Sequence, residues 1–143
     1  MDEAEWLRLR MALWPDSDPD ELRDEMPAYV EGGDRRLYAL VADRGGEQLG
    51  ALMELSLRNQ AEGCFSSPVG YIEALYVDED LRREGLATQM FEHACKWFRH
   101  MGCAEVASDC VLENEIAVQF HEALGFEEVG RLVHFAYTLE AEG

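Results

Sequence analysis

The sequence predicts an α/β or α+β layered domain built on a mixed β-sheet. Segments with the apolar period of a helix alternate with segments typical of strands, and no internal repeat interrupts them. The chain has 143 residues, of which 48% are hydrophobic and 29% charged, as in a globular protein. We therefore expect a single domain over residues 1–143.

Two short helices are predicted near the N-terminus. The first covers Glu3–Leu13, and Pro15 ends it because the residue before a proline is pushed out of the helical region. Ser17–Pro19 predicts a second start, with a capping side chain and a proline at the first helical position. We expect this helix to kink at Pro27 and to end at Gly32–Gly33. Its inward side chains are expected to be Leu22, Met26 and Val30.

A β-hairpin is predicted next. Arg36–Ala42 is apolar and reads as a strand, Asp43–Glu47 is typical of a turn, and Gln48–Leu57 forms the return strand. Arg58–Pro68 is polar and contains glycine, so it predicts an exposed connection.

The central stretch predicts a strand, an acidic turn and a long helix. Tyr71–Val77 is apolar and aromatic except for Glu73, and Asp78–Asp80 ends the run. A helix opened by residues 82–87 then carries apolar residues at helical spacing as far as Gly102. Unpaired backbone N–H groups at the start of a helix suit an anion such as pyrophosphate.

The last third of the chain predicts a strand, a helix and a further strand region. Ala104–Asp109 reads as a short strand, and Glu113–Leu124 as an amphipathic helix stopped by Gly125. Phe126–Leu139 predicts a final strand pair or one long bent strand.

Charge and composition exclude several classes of function. A formal net charge of −18 argues against nucleic-acid binding and favours cationic partners, although it also fits a plain acidic surface. The longest apolar stretches are shorter than a membrane span, and no secretion signal is present, so we expect a cytoplasmic protein without membrane contact. The four cysteines are too widely spaced for a metal or redox motif, and we predict no metal site.

Two motifs resemble those of the Gcn5-related N-acetyltransferases (GNAT). The first is Arg82-x-x-Gly85-x-Ala87 after an apolar strand. The second is Asn114-x-x-Ala117-x-x-Phe120 followed by Leu124-Gly125-Phe126. The resemblance implies the GNAT fold, in which helices flank both faces of a mixed, mostly antiparallel sheet, and acetyl-CoA as cosubstrate.

Within that superfamily the chain resembles the aminoglycoside 6′-N-acetyltransferases. The similarity covers most of the chain in order, and its CSSPV loop and ASD strand end are not general superfamily features. The segments that carry it are residues 13–16, 63–69, 71–77, 107–109 and 121–128.

The resemblance places one set of residues at acetyl-CoA. Backbone groups at the end of the central strand can pair with the amide-rich pantetheine arm, as an added strand would. Backbone N–H groups at the helix start can hold the pyrophosphate, with charge-assisted pairing from Arg82 or Arg83. The cofactor-binding residues predicted are Leu75, Tyr76, Val77, Arg82, Arg83, Glu84, Gly85, Leu86, Ala87, Thr88 and Asn114.

A second set is predicted to bind the cationic amine. A carboxylate such as Glu73 inside a strand is costly if buried, which suggests that a site opens onto it. By resemblance Glu73 and Asp109 bind the acceptor and Trp14 lines the pocket, while Gln60 lies nearest to an expected aromatic contact. The alternatives are a salt bridge from Glu73 to an arginine such as Arg58, and a turn-capping role for Asp109.

His121 occupies the place of the tyrosine that acts as an acid towards the leaving thiolate in many superfamily members. A histidine can donate a proton near neutral pH, but it can also be a packed helix residue. We therefore treat Glu73, Asp109 and His121 as the candidate catalytic residues.

The predicted function is acetyl-CoA-dependent transfer to the 6′-amino group of aminoglycosides, which confers antibiotic resistance. An acetyltransferase acting on a polyamine or protein amine and a non-catalytic acyl-CoA-binding module remain open alternatives. We expect a homodimer paired through the C-terminal strands, because the apolar stretch 132–137 would suit a partner edge; internal pairing is the alternative.

Overall fold

The protein is built on a four-stranded sheet in the order β1-β2-β3-β4. A computed structural model describes residues 2–30 and 33–142. The first three strands are antiparallel to one another, and the last is parallel to the third, so the predicted mixed, mostly antiparallel sheet is confirmed. The strands are β1 (Leu37–Gly45), β2 (Gln48–Arg58), β3 (Val69–Val77) and β4 (Val106–Ser108).

Four α-helices accompany the sheet among the described residues, and three of them begin at a capping side chain. Asp2, Asp18 and Asn114 each accept a backbone N–H at a helix start, as short polar side chains do at N-caps. The helices are α1 (Glu3–Leu13), α2 (Pro19–Glu25), α3 (Leu86–His100) and α4 (Glu115–Ala123), with single 3₁₀ turns at Met26–Tyr29 and Glu79–Leu81.

Two apolar clusters lie on opposite faces of the sheet. One face packs against α3, and its buried members include Met53, Leu55, Ile72, Met90 and Phe98. The other packs against α1 and α2, and its buried members include Trp6, Leu9, Leu22, Met26 and Leu52. Helices thus cover both faces, as predicted.

The second helix is shorter than predicted. It ends at Glu25 and becomes a 3₁₀ turn around Pro27, because a proline inside a helix removes one backbone donor and clashes with the preceding turn. Leu22 and Met26 are buried as expected, but Val30 is 45% exposed. The predicted end at Gly32 lies outside the described residues.

Three further boundaries differ from the predictions. β1 extends to Gly45, so the hairpin turn is shorter than Asp43–Glu47. Arg58 belongs to β2 rather than to the exposed connection. The long helix begins at Leu86, and residues 82–85 form a loop before it.

A β-bulge in β3 is centred on Glu73. Glu54 of β2 pairs with Ala74, and the next residue, Leu55, pairs with Ile72, so Glu73 is an extra residue without a partner on β2. A bulge of this kind bends the strand and redirects a side chain, and bulges are common beside active sites.

β4 pairs with β3 only up to the bulge, because β4 ends at Ser108. Their pairing covers only Gly70–Ile72 of β3, and β4 is shorter than the predicted strand Ala104–Asp109. In the described part of the chain, the edge of β3 beyond Ile72 therefore has no neighbouring strand on the β4 side.

The final strand or strand pair predicted over Phe126–Leu139 is not formed within this chain. Residues 127–142, which we call the C-terminal arm, have no regular secondary structure and are exposed. Near its start the arm lies beside the connection after β2: a Cβ built at Gly63 would lie 2.6 Å from the Cβ of Val129, and one built at Gly130 would lie 3.7 Å from the Cγ of Glu62. Its large apolar side chains, which are 57–91% exposed, are Val129, Leu132, Val133, Phe135, Tyr137 and Leu139.

Two observations concern environment. No helix in the described part of the chain is both long and apolar enough to cross a membrane. The four cysteines are free thiols, with Cys103 buried and the others at least partly accessible.

Candidate functional site

A cavity of about 640 Å³ lies where the end of β3, the loop before α3 and helix α4 meet. Most of the predicted cofactor residues line it. They are Val77, Arg82, Arg83, Gly85, Leu86, Ala87 and Thr88, joined by Ile116, Gln119, Phe120, Ala123 and Leu124 from the α4 region. The apolar face of α4 therefore borders this cavity, and no α4 residue is fully buried.

The loop before α3 forms a cradle for an anion. Arg83 has φ 68° and Gly85 has φ 79°, so two residues of the loop take the left-handed conformation. No side chain caps the start of α3, which leaves its first backbone N–H groups available. A Cβ placed at Gly85 would meet no atom within 4 Å, so the space beside it is open. This geometry fits a pyrophosphate at a helix N-terminus.

The two arginines of the loop are held differently. Arg82 Nε donates to the backbone carbonyl of Val77 at 2.9 Å, and its guanidinium lies 5.7 Å from the ring centroid of Tyr76. Arg83 is exposed and makes no hydrogen bond or ion pair among the described residues. Arg82 therefore holds the loop against β3, whereas Arg83 is available to bind an anion.

The predicted strand-end residues lie on the open edge of β3. Leu75, Tyr76 and Val77 pair with β2 on one side and have no described strand on the other. This edge can accept an extended, amide-containing chain. Asn114 lies at the start of α4, where its Oδ1 accepts the N–H of Ala117 at 3.1 Å.

Glu73 is paired with an arginine, as the alternative reading of the sequence anticipated. Arg58 donates from Nε to Oε1 at 3.0 Å and from Nη2 to Oε2 at 2.9 Å, which is a bidentate pair. The hydroxyl of Ser56 donates to Oε1 at 2.6 Å. The Glu73 side chain remains 28% exposed and that of Arg58 43% exposed, so the pair lies at an open surface.

Tyr71 links this pair to Asp109. Its ring lies under the Arg58 guanidinium, 3.5 Å from the Cζ atom to the ring centroid, and its hydroxyl donates to Asp109 Oδ2. Burial, followed by the hydrogen bond to Asp109, raises the pKa of Tyr71, so the phenol stays protonated at neutral pH. Asp109 thus bonds a tyrosine of β3 and does not cap a turn.

His121 is held by both ring nitrogens. Nδ1 donates to the Ala117 carbonyl at 2.6 Å, and Nε2 lies 2.7 Å from the hydroxyl of Ser108. Ser108 can also donate to the Ile72 carbonyl at 3.3 Å. Its hydroxyl can therefore donate to a neutral ring or accept from a protonated one, so the contacts accommodate either form of His121.

Trp14 lies beside a buried ion-pair cluster that the sequence did not indicate. Arg10, 2% exposed, donates to both carboxylate oxygens of Glu54, at 2.8 and 2.9 Å, and Glu54 is fully buried. Trp6 Nε1 also donates to Glu54 at 2.8 Å. The Arg10 guanidinium lies 5.0 Å from the Trp14 ring centroid. The only sign of this cluster in the sequence was one charged residue within the apolar pattern of the first helix and another within that of the second strand.

The structure also places Tyr29 and Gln60. Tyr29, which the sequence did not single out, packs edge-on against Trp6. Burial, followed by the charges of Glu54 and Glu73, raises the pKa of Tyr29. Gln60 is exposed in the connection after β2 and makes no recorded hydrogen bond within the described chain.

The two halves of the site suit different chemical groups. The cradle and strand edge suit an anion with an amide-containing arm, and the Glu73–Asp109 region suits a cation. No group of three or more His, Cys, Asp or Glu among the residues described is arranged to hold a metal ion. The fold and the site therefore define the class: an enzyme that transfers a group from an anionic donor to a cationic acceptor.

Comparison with known families makes the assignment specific. The sequence model of the acetyltransferase (GNAT) family matches residues 3–126, and the chain belongs to this family. It is therefore an acetyltransferase, and its acetyl donor is acetyl-CoA. The cradle described above fits the pyrophosphate of that donor.

Relatives of known sequence or structure are similar to this chain over nearly its whole length. An aminoglycoside N(6′)-acetyltransferase type 1 from Acinetobacter genomosp. 13 is 39% identical over 133 residues, covering 92% of this chain and 89% of the relative. The solved structure of AAC(6′)-Ih from Acinetobacter baumannii has a TM-score of 0.85 at 33% identity, covering 98% of this chain and 96% of that one. The structure of AAC(6′)-Iy with the bisubstrate analogue CoA-S-monomethyl-acetylneamine has a TM-score of 0.86 at 30% identity, covering 96% and 92%.

Proposed function

We propose that this protein transfers the acetyl group of acetyl-CoA to the 6′-amino group of aminoglycosides and so confers resistance to them. The observation that carries this proposal is the pair of carboxylates, Glu73 and Asp109, beside the unpaired edge of β3. An acceptor with several ammonium groups requires such a pair, and similarity to aminoglycoside N(6′)-acetyltransferases supports the same substrate.

The acceptor side is assigned by charge and position. Glu73 projects from a bulge next to the strand edge that would carry the pantetheine arm, so an amine bound there would lie near the thioester. Asp109 would bind a second ammonium group, and Trp14 and Gln60 would line the remainder of the pocket. Glu73 would also receive the proton that the amine loses, because the attacking nitrogen must be neutral.

On the donor side, the backbone of Leu75–Val77 would pair with the pantetheine arm and the residues from Arg83 to Thr88 would bind the pyrophosphate. Arg82 would hold the shape of this loop through its hydrogen bond to the Val77 carbonyl, and Glu84 would contribute its backbone N–H to the pyrophosphate site. Asn114 uses Oδ1 as a helix cap, so only its amide N–H groups would reach the cofactor arm.

His121 is our candidate for the acid that protonates the departing CoA thiolate. Its Nε2 lies 2.7 Å from Ser108, which pairs with Ile72 where the unpaired edge of β3 begins. A proton on Nε2 could pass through the Ser108 hydroxyl towards that edge.

A thiol-release assay with acetyl-CoA and a panel of 6′-amino aminoglycosides tests the function. We expect turnover of these drugs but not of a matched aminoglycoside with a hydroxyl at the 6′ position. Glu73→Gln or Asp109→Asn should lower kcat/KM by roughly a hundredfold, the scale for losing one charged partner. Glu47→Gln, which removes one exposed charge at the tip of the hairpin, is the matched control.

The other outcomes identify the alternatives. Turnover of spermidine or of peptide amines without turnover of any aminoglycoside would indicate an acetyltransferase for a polyamine or protein amine. CoA binding without turnover of any amine would indicate a binding module.

We propose further that the protein is a homodimer joined through the C-terminal arms. Val133, Phe135, Tyr137 and Leu139 alternate with smaller or polar residues, which is the period of a strand with one apolar face. These side chains are exposed in the single chain, and β4 is an edge strand, so a second copy could cover the arm and extend its sheet.

The oligomeric state is measured by sedimentation velocity at micromolar concentration. We expect a dimer for the full chain and a monomer for a chain truncated after Glu128. A monomeric mass for the full chain would contradict the proposal.

We also propose that residues 1–143 act as one acetyltransferase domain in the cytoplasm. The four free thiols support a reducing compartment. Fractionation of cells that express the protein checks the location.

A further inference from the structure

Arg58 is the one cation recorded in contact with the predicted acceptor carboxylates among the described residues. It pairs with Glu73 through two hydrogen bonds and lies over the ring of Tyr71, whose hydroxyl is bonded to Asp109. Its guanidinium therefore lies over the residue that links the two carboxylates. In the proposed function, the same position has to receive the ammonium groups of the acceptor.

The hydrogen-bonding capacity of Glu73 shows why Arg58 and an ammonium group compete for it. A carboxylate offers about four acceptor positions. Ser56 and Arg58 Nε take two of them on Oε1, and Arg58 Nη2 takes a third on Oε2. Because a bidentate guanidinium bridges both oxygens, an ammonium group cannot take the same place while Arg58 remains there.

We propose that Arg58 is a resident counter-ion which the aminoglycoside displaces from Glu73 on binding, and that it thereby weakens acceptor affinity. This inference rests on the proposed function. The pair suits exchange because both side chains are partly exposed, and such pairs are weakly held compared with buried ones. The buried Arg10–Glu54 pair, 2% and 0% exposed, has the opposite character.

Displacement also accounts for the position of Tyr71. Once the guanidinium leaves, the ring face that it covered becomes available, and an aromatic face attracts cations. An acceptor with two ammonium groups could then bind Glu73 and Asp109 together across that ring. Arg58 would lose its partner but remain solvated, because its side chain is already 43% exposed.

The test compares acceptor binding in a double-mutant cycle. Calorimetric titration of the CoA-bound protein with one 6′-amino aminoglycoside is carried out for the wild type, Arg58→Gln, Glu73→Gln and the double variant. We expect Arg58→Gln to bind about three- to tenfold more tightly than wild type, and this gain to vanish in the Glu73→Gln background. Equal gains in both backgrounds, or weaker binding by Arg58→Gln, would overturn the inference.

Steady-state kinetics give a second measurement, which would not change in this way if Arg58 had only a structural role. Arg58→Gln should lower KM for the aminoglycoside, leave kcat within about twofold, and steepen the salt dependence of kcat/KM, because one positive charge has left the site. Arg36→Gln is the matched control: Arg36 lies at the same end of the sheet and bonds Asn59 and the Leu57 carbonyl, with no ion pair in the part of the chain described. An unchanged or raised KM for Arg58→Gln argues against displacement.

A measurement on the unaltered protein tests the inference even if a variant does not fold. The arginine Nε–H signals in a ¹⁵N NMR spectrum report the pairing of each side chain, and Arg58→Lys identifies the Arg58 signal. Saturating aminoglycoside should shift the Arg58 Nε–H signal and speed its exchange with water; an unchanged signal would overturn the inference.

Failure of the proposed function is seen separately. Thiol release by the wild type with an aminoglycoside establishes the function, whatever the Arg58 variants do. Aminoglycoside turnover with unchanged Arg58 signals overturns displacement alone, whereas neither turnover nor binding by the wild type overturns both.

Discussion

Replacing Glu54 by glutamine should destabilise the protein severely. Glu54 is fully buried and accepts three hydrogen bonds, one from Trp6 and two from Arg10. Glutamine keeps the shape, but it removes the charge and turns one acceptor into a donor that faces other donors. Arg10 would keep the glutamine oxygen, the Leu22 carbonyl and the exposed Glu25, but it would lose its buried opposite charge.

The magnitude follows from the burial of both partners. Burial opposes the Arg10 charge, but the hydrogen bonds and charge of Glu54 outweigh it, so the pKa of Arg10 is raised. Breaking a buried pair by removing one partner costs roughly 3–5 kcal/mol. That is a large share of a total unfolding free energy of about 5–15 kcal/mol. At about 2–4 °C per kcal/mol, the melting temperature should fall by roughly 6–20 °C.

Urea unfolding followed by tryptophan fluorescence and circular dichroism measures the change. The double variant Arg10→Met/Glu54→Leu removes both charges and should lose less stability than Glu54→Gln alone. A loss below about 1 kcal/mol for Glu54→Gln would refute the reasoning, because it would mean that Arg10 finds another partner or reaches water.

Three further predictions concern packing and pH. Gly70→Ala should cost about 1–3 kcal/mol in a urea melt, since its Cβ would lie 2.5 Å from the Phe98 ring; no loss would mean that the ring moves freely. The raised pKa of Tyr71 means that its contribution to stability is full below about pH 10 and is lost as the pH rises through the higher folded value. Absorbance titration at 295 nm should therefore find two late-titrating tyrosines, Tyr71 and Tyr29, and Tyr71→Phe should remove one of them. Hydrogen bonds from the Ser66 hydroxyl and then from the Phe65 backbone N–H lower the pKa of Glu105, so its contribution to stability is present above about pH 4.3 and is lost as the pH falls through the folded value. Glu105→Gln should then melt earlier than wild type at neutral pH but equally in strong acid, and an equal difference at all pH values would contradict this.

Much of the fold could be predicted because its signals are local. The first helix has a capping residue at one end and a proline just beyond the other, and its predicted bounds Glu3–Leu13 are confirmed. The second helix was predicted too long because the pattern of apolar residues continues past Pro27, although the backbone cannot. The C-terminal arm has the pattern of a strand, but no partner strand within the described chain, and a strand forms only by pairing.

The site was less accessible to sequence reasoning because its contacts join distant residues. The resemblance indicated the loop before α3 as part of the cofactor site, and a cavity lies beside that loop. The pairing of Glu73 with Arg58 was one of two open readings, since sequence spacing cannot decide between an ion pair and a free carboxylate. Tyr71 was treated only as an apolar strand residue, although its hydroxyl bonds Asp109, 38 residues away.

The bulge at Glu73 separates the carboxylate from the packing of its strand. Ile72 and Leu75, on either side of it, both pack towards α3, while Tyr76 packs towards α1 and α2. If the codon for this one extra residue were lost, Glu54–Ala74 and Leu55–Ile72 would become consecutive pairs, so the side chains beyond it would keep their faces. Such a deletion would remove the carboxylate from β3 and leave both apolar faces of the sheet in register. Binding of a cationic acceptor and stability of the fold are therefore separable at this one position.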